Sequence, residues 1–184
     1  MCKVIKNIQG KNAEQVLNDY GVIDTIPIDL NKLLQLIGIA SSPYDFTALE
    51  NTLKKGEILG LVLSEGEKAA ILYRNTDSVK RQRFTIAHEL AHCCLSTESS
   101  SKSHVEYRLD NDDKTENEIA ADIFTGELLI PLKKLAEVYL LLDYPFSTIL
   151  ANKFGVSVAV MEARLNYLKI SHFDSKGNAV QYGI

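Results

Sequence analysis

The chain has 184 residues, of which 46% are hydrophobic, 24% are charged and 8% are aromatic, and its formal net charge is -4. This composition is typical of a folded globular protein, and the length suits one compact domain or a domain with a small appendage. The acidic balance excludes a global electrostatic attraction to nucleic acid or to an anionic membrane surface.

The N-terminal residues and the cysteines bear on the cellular compartment. Residues 1–10 lack the apolar core of a signal peptide, and no stretch approaches the ~20 apolar residues of a membrane span. Cys2, Cys93 and Cys94 form an odd set without the spacing of a disulfide scaffold. We therefore expect a cytoplasmic protein that has no membrane partner.

The first third of the chain is predicted to be helical. Residues 13–20 form one short candidate, and Asp29 can cap a second helix that ends at Gly38. In the second helix, apolar side chains recur at i, i+3, i+4 and i+7, at Leu30, Leu33, Leu34 and Ile37. This spacing lays one apolar stripe on the core, so we assign the segment to packing.

A β-hairpin is predicted between residues 57 and 74. The apolar runs ILGLVL and AAILY flank the polar sequence SEGEK, which contains a glycine suited to a turn. An edge strand at residues 60–63 or 69–73 could pair with an extended peptide, and buried sheet is the alternative.

The next predicted helix holds RFTIAHELAHCCL, and residues 75–78 offer caps for it. Its buried stripe is predicted to comprise Phe84, Ala87, Ala91 and either Cys94 or Leu95. Residues 96–115 are polar and serine-rich, so they are predicted to form a surface loop. Regular pattern then resumes, with helices at about 115–129, stopped by Pro131, and at about 132–142.

The last segment has the outline of helix, tight turn at Gly155 and capped helix, which resembles a helix-turn-helix. We assign residues 144–184 as a helical extension of a domain formed by residues 1–143. Its charged residues between positions 146 and 170 sum to only +2, from Lys153, Arg164 and Lys169 against Glu162. Because this offers few phosphate contacts, direct DNA binding is not expected, and the helices are assigned to packing or partner docking.

The sequence His88-Glu89-Leu90-Ala91-His92 fits the HExxH motif. On a helix, side chains at i and i+4 stand one turn apart, so both imidazoles can reach one metal ion. Glu89 lies about 100° round the helix from His88, where it can contact a water molecule at the metal. Cys93 and Cys94 point about 100° apart and cannot both join the chelate, so core packing is predicted for at least one.

A third ligand requires a carboxylate on a second helix, and Glu118 is the preferred candidate. Asp122 lies one turn later on the same face and could accept the free N–H of a ligating histidine, whereas Glu116 would point elsewhere. The alternative is that Glu118 and Asp122 belong to the solvated acidic face of an amphipathic helix.

Two blocks, RFTIAHELAH and EIAADIFTGELLIP, together resemble the ImmA/IrrE family of HExxH metallopeptidases. The second block matches the family pattern at Glu118, Ala121, Phe124, Leu128, Leu129 and Pro131. The resemblance implies that Glu118 is the third ligand of one Zn2+ per chain. The fold we expect is α+β, a zincin-like small sheet packed on a metal-bearing helix pair. Ala91 and Thr125 depart from the family's usual glycine and alanine, which affects local packing and not the ligands.

The implied activity is zinc-dependent hydrolysis of peptide bonds, with Glu89 as the catalytic base. His104 and Tyr107 are candidate oxyanion donors, with ordinary loop residues as the alternative. ImmA/IrrE relatives cleave helix-turn-helix repressors, so the expected partner is such a repressor, in a bacterium or phage, whose cleavage derepresses mobile-element or stress genes. The alternatives are a non-proteolytic metal-binding transcription regulator and a toxin–antitoxin component on the same fold.

Overall fold

A computed structural model describes residues 2–54, 56–96, 104–108, 115–143 and 145–182, with the backbone alone for 104–108. The described helices are α1 (Lys3–Lys6), α2 (Ala13–Asp19), α3 (Leu30–Ile37), α4 (Thr47–Leu53), α5 (Val79–Leu95), α6 (Glu116–Leu129), α7 (Leu132–Tyr139), α8 (Ser147–Phe154) and α9 (Val158–Tyr167). The described strands are β1 (Ile39–Tyr44), β2 (Glu57–Glu65), β3 (Lys68–Arg74), β4 (His104–Arg108), β5 (His172–Phe173) and β6 (Ala179–Val180). Within these ranges, every helix is too short or too polar to cross a bilayer.

The larger sheet is mixed and has the strand order β1-β3-β2-β4. β1 runs parallel to β3, whereas β2 is antiparallel to both of its neighbours. The predicted hairpin is confirmed as β2 and β3, and the α+β class is confirmed with it. The suggestion that residues 60–63 or 69–73 form an edge is wrong, because each of these segments has a strand on both sides.

Local signals set the ends of the helices as the sequence indicates. Asp29 accepts a hydrogen bond from the Lys32 amide at 3.0 Å, and Gly38 ends α3 with a φ of 92°. Ser78 accepts from the Arg81 amide and caps α5. The predicted stripe of α3 is buried along its whole length.

Two sequence predictions are wrong, one about a loop and one about the end of a helix. The segment 96–115 is not a loop throughout, because β4 lies within it and pairs antiparallel with β2. This pairing joins residues about forty to fifty positions apart, from Val62 with His104 to Glu57 with Arg108, so local composition carries no signal of it. Helix α7 ends at Tyr139, three residues before the predicted end at 142.

One large core unites the helices with the inner face of the sheet. It includes fully buried side chains of α8 and α9, namely Leu150, Phe154, Met161 and Leu165. Arg83 of α5 reinforces this packing, since its guanidinium donates to the carbonyl of Ile28 at 3.0 Å and to that of Gly155 at 3.2 Å. The division at residue 143 stays a prediction, and the likeness of α8 and α9 to a helix-turn-helix does too.

A pair of leucine substitutions tests whether the C-terminal helices belong to the core. Leu150→Ala should lower the free energy of unfolding by about 2–5 kcal/mol, because it leaves a cavity at a fully buried position. Leu140→Ala, at a position 82% exposed, should change it by less than about 0.5 kcal/mol. Urea unfolding measures both, and equal effects would contradict the shared core.

Candidate metal centre

Two helices that pack against each other carry the candidate ligands. Helix α5 holds His88 and His92, which lie one turn apart, and α6 holds Glu118 in its first turn. Thr115 caps α6 by accepting from the Glu118 amide at 3.3 Å. The cap therefore fixes the first turn of α6, which carries the glutamate that faces the histidines.

The three side chains converge on one point. His88 Nε2 lies 3.0 Å from His92 Nε2 and 3.0 Å from Glu118 Oε2, and His92 Nε2 lies 3.4 Å from Glu118 Oε1. One ligand atom from each residue can be chosen so that all three lie within 4.8 Å of one another. Ligands of a tetrahedral zinc with bonds of about 2.0–2.1 Å are separated by roughly 3.4 Å, so the spacing fits such an ion.

The group is closed on one side and open on the other. The side chain of His88 is 3% exposed and that of His92 is 14% exposed, whereas the Glu118 side chain is 32% exposed. A metal held here would thus be anchored from the protein interior and reached from solvent past Glu118. Open access of this kind is what a catalytic site requires and a purely structural site does not.

Asp122 supports His88 from behind. Its Oδ1 lies 3.2 Å from His88 Nδ1, while His88 Nε2 faces Glu118 and His92. A carboxylate this close to Nδ1 favours the tautomer that carries its proton on Nδ1, which leaves Nε2 free of hydrogen and able to bind a metal. The Phe84 ring stacks on the His88 ring with centroids 5.9 Å apart, which further limits the orientation of the imidazole. The two carboxylates of α6 therefore face the histidines, whereas Glu116 is exposed.

Glu89 is fully buried on the side of α5 that faces strand β2. Gly60 of β2 lies directly against Glu89, and this close approach is not visible in the sequence pattern. The glycine falls inside an apolar strand run, and only the packing of α5 on β2 shows what it contacts.

The two candidate oxyanion donors belong to β4. His104 pairs in register with Val62, and Tyr107 pairs with Ile58. Their side chains lie outside the described residues, so both stay predictions. Their backbone nevertheless forms one edge of the larger sheet in the described part of the chain.

Cys93 and Cys94 are both buried, free thiols. Burial, and secondly the nearby Glu89 carboxylate, raises the pKa of Cys93 to about 12. Burial also raises the pKa of Cys94. A metal binds the thiolate and not the thiol, so these groups are poor ligands, and the predicted core role fits both of them.

The departures from the family pattern are accommodated locally. Ala91 is fully buried in the core cluster. The hydroxyl of the buried Thr125 donates to the carbonyl of Ala121 at 2.7 Å, one turn earlier. Neither residue disturbs the ligand group.

A largely apolar cavity of about 330 Å³ lies beside the site, between α6 and α9, and Phe84 and Asp122 belong to its lining. Arg164, which also lines it, is buried, and its Nη1 lies 3.6 Å from Glu127 Oε1. This corrects the role given to Arg164 from sequence, because a buried and paired guanidinium is not part of a basic surface. Burial lowers its pKa, and Glu127 opposes that shift.

A helix with two histidines one turn apart, a glutamate between them and an acidic partner on a second helix defines the class of HExxH metal-dependent hydrolases. The family model described as Peptidase_M78, IrrE N-terminal-like domain, matches residues 46–166. Since this match covers more than half of the chain, the chain belongs to that family, and the resemblance noted from the two blocks is confirmed. The family is a metallopeptidase family, which supports a peptidase at this coarse level. A comparison with curated proteins gave no significant match.

Two glutamates of α6 form a matched pair for testing the ligand group. Glu118→Gln should remove a charged ligand and lower the metal content of the purified protein well below one ion per chain. Glu116→Gln should retain the wild-type content, because Glu116 is exposed and outside the group. Elemental analysis of protein prepared without chelators measures both. Full metal content in a His88→Ala, His92→Ala double variant would show that the metal binds elsewhere.

The buried thiols give a second measurable consequence. At pH 8 the raised pKa keeps Cys93 protonated, so iodoacetamide should modify neither Cys93 nor Cys94 in the folded protein. In guanidinium chloride both should react readily. Peptide mass spectrometry distinguishes the two sites, and rapid labelling of the folded chain would contradict the described burial.

Proposed function

We propose that the protein is a zinc-dependent endopeptidase in which His88, His92 and Glu118 hold the metal and Glu89 is the catalytic base. The observation that carries the proposal is the convergence of these three ligands within 4.8 Å, in a chain of the Peptidase_M78 family. Zinc is the metal that two imidazoles and a carboxylate in this arrangement suit best, and the family supports a metallopeptidase.

The protein residues have distinct roles in the proposed reaction. Bound zinc supplies the Lewis acidity that acidifies a water molecule and polarises the scissile carbonyl. Glu89 takes up the proton of the attacking water and delivers it to the leaving amine. Asp122 keeps the His88 ring in the tautomer that can bind metal. His104 and Tyr107 remain the candidates for an oxyanion donor, because β4 runs along the edge of the sheet beside β2.

The proposed substrate is a helix-turn-helix transcriptional repressor in the cytoplasm of a bacterium or phage host, whose cleavage releases repressed genes. This part of the proposal rests on the resemblance to the ImmA/IrrE family. The C-terminal helices α8 and α9 are proposed to position that substrate. Of the three basic residues between positions 146 and 170, Arg164 is buried and Lys153 and Lys169 are exposed, which disfavours these helices as a DNA-binding unit.

The competing functions are a non-proteolytic metal-binding regulator and a toxin–antitoxin component. A structural metal site needs ligands but no base, so a fully buried glutamate next to the first histidine favours the enzyme. Neighbouring genes distinguish the toxin–antitoxin alternative, because such systems are encoded as pairs.

Replacement of Glu89 tests the proposal. Glu89→Gln should keep the fold and the metal, because the three ligands are unchanged, but it should reduce cleavage by roughly 10²-fold or more. The substrate for the assay is the repressor encoded beside the gene, with cleavage followed by gel electrophoresis and mass spectrometry. Unchanged turnover by the variant would remove Glu89 from the mechanism. An intact repressor after incubation with metal-loaded wild-type protein would argue for a non-proteolytic function.

A further inference from the structure

Strand β2 carries a bulge opposite β4. Ile58 pairs with Tyr107, but Gly60 pairs with Glu106, so Leu59 is an extra residue on β2. As a result Ile58 and Leu61, three positions apart, both pack in the small cluster around Phe46. In a regular strand, residues three apart point to opposite faces. The bulge therefore resets which residues of β2 face α5.

Gly60 of β2 lies against Glu89, the candidate base. A Cβ atom at position 60 would lie 2.6 Å from Glu89 Oε1, 3.0 Å from Glu89 Cγ and 2.7 Å from Thr85 Cγ2. Cβ atoms in proteins essentially never lie closer than 3.0 Å to such a heavy atom. Two of these contacts are therefore too short, and the third is at the limit. The φ of Gly60 is not in the left-handed region, so the backbone itself would accept alanine. Glycine is thus needed here for space and not for its conformational freedom.

We propose that Gly60, at the β2 bulge, is a positioning residue that sets where the Glu89 carboxylate lies relative to the metal. This inference rests on the function proposed for Glu89. The strand and the helix meet at this point without an intervening side chain, so the carboxylate lies directly against the β2 backbone.

The surroundings determine which group would yield to a larger residue. β2 is bonded to β3 on one side and to β4 on the other, so its backbone cannot easily withdraw. The seventeen-residue helix α5 is held by α6, by the sheet and by the Arg83 contacts to Ile28 and Gly155. The end of the Glu89 side chain is the most movable atom group in the contact. Its displacement by about 1 Å is enough to cost up to 10²-fold in rate.

The test compares Gly60→Ala with Gly126→Ala. At Gly126 an added Cβ would meet only Arg164 Cδ, at an ordinary 3.5 Å, so this variant should behave as wild type. Gly60→Ala should retain one metal per chain. With the repressor encoded beside the gene as substrate, its KM should be similar to that of the wild type, but its kcat should fall roughly 10- to 100-fold. A kcat within twofold of wild type, with the metal retained, would overturn the proposal.

A second measurement does not depend on activity. In crystal structures of the wild type and of Gly60→Ala, the Glu89 carboxylate should be displaced by about 1 Å, with the ligand residues unmoved. An unmoved carboxylate would overturn the role of Gly60 whether or not the protein cleaves a repressor. Conversely, a displaced carboxylate in a protein whose wild type has no peptidase activity would support the positioning role and reject the proposed function.

A double-mutant cycle covers the case in which Gly60→Ala folds poorly. The loss of Tm caused by Gly60→Ala should be smaller in a Glu89→Ala background, because the carboxylate that the new methyl group displaces is then absent. An equal loss in both backgrounds would show that Thr85 or the strand itself is the source of the conflict, and would overturn the proposal.

Discussion

The structure depends on how α5 accommodates buried polar side chains. This helix passes through the core with His88 nearly buried and Glu89 fully buried. Buried polar groups destabilise a fold unless other groups satisfy them, and buried charges do so more strongly. The elements that surround α5 are arranged around these two buried side chains. Asp122 and Glu118 of α6 face His88, and the bare backbone of β2 at Gly60 leaves room for Glu89.

The position of α5 is in turn fixed from several directions. On one side it packs on the sheet, and on another it packs on α6. Toward the C-terminal helices, Lys80 donates to Asn152 at 2.9 Å and Arg83 donates to the carbonyl of Gly155. Contacts of this number and variety leave a long helix little freedom to shift. Rigid support of the ligand-bearing elements is what a catalytic metal site requires.

The C-terminal helices have a part in this support that their sequence pattern does not indicate. Leu150, Phe154 and Leu165 are buried in the same cluster as Leu90 of α5, the helix that carries the candidate ligands His88 and His92. A substrate-docking role for α8 and α9, as proposed above, must therefore use their outer faces. Ile149 of α8 is exposed and available for such a contact. Packing and docking are thus compatible roles for different sides of the same helices.

Much of the local structure follows from the sequence alone. The heptad-like spacing of Leu30 to Ile37, the cap at Asp29 and the stop at Gly38 predict α3 because helix ends and helix faces are encoded by neighbouring residues. The spacing of His88 and His92 likewise predicts that two imidazoles share a helix face. Glu118 is favoured by its place on a second helix with Asp122 one turn later, the second motif block supports it, and the structure brings it to the histidines.

Other features were decided only by the tertiary structure. The sequence marks residues 60–63 as apolar strand, but the insertion of that strand between β3 and β4 depends on distant pairing, which also converts part of the polar segment 96–115 into β4. The sequence predicts Arg164 to be a surface cation, whereas the structure buries it beside Glu127. In the sequence Gly60 is a glycine within an apolar strand, and only the structure shows that Glu89 and Thr85 of α5 pack against it. In each case the decisive contact joins residues far apart in the chain, so short-range periodicity and composition contain no record of it.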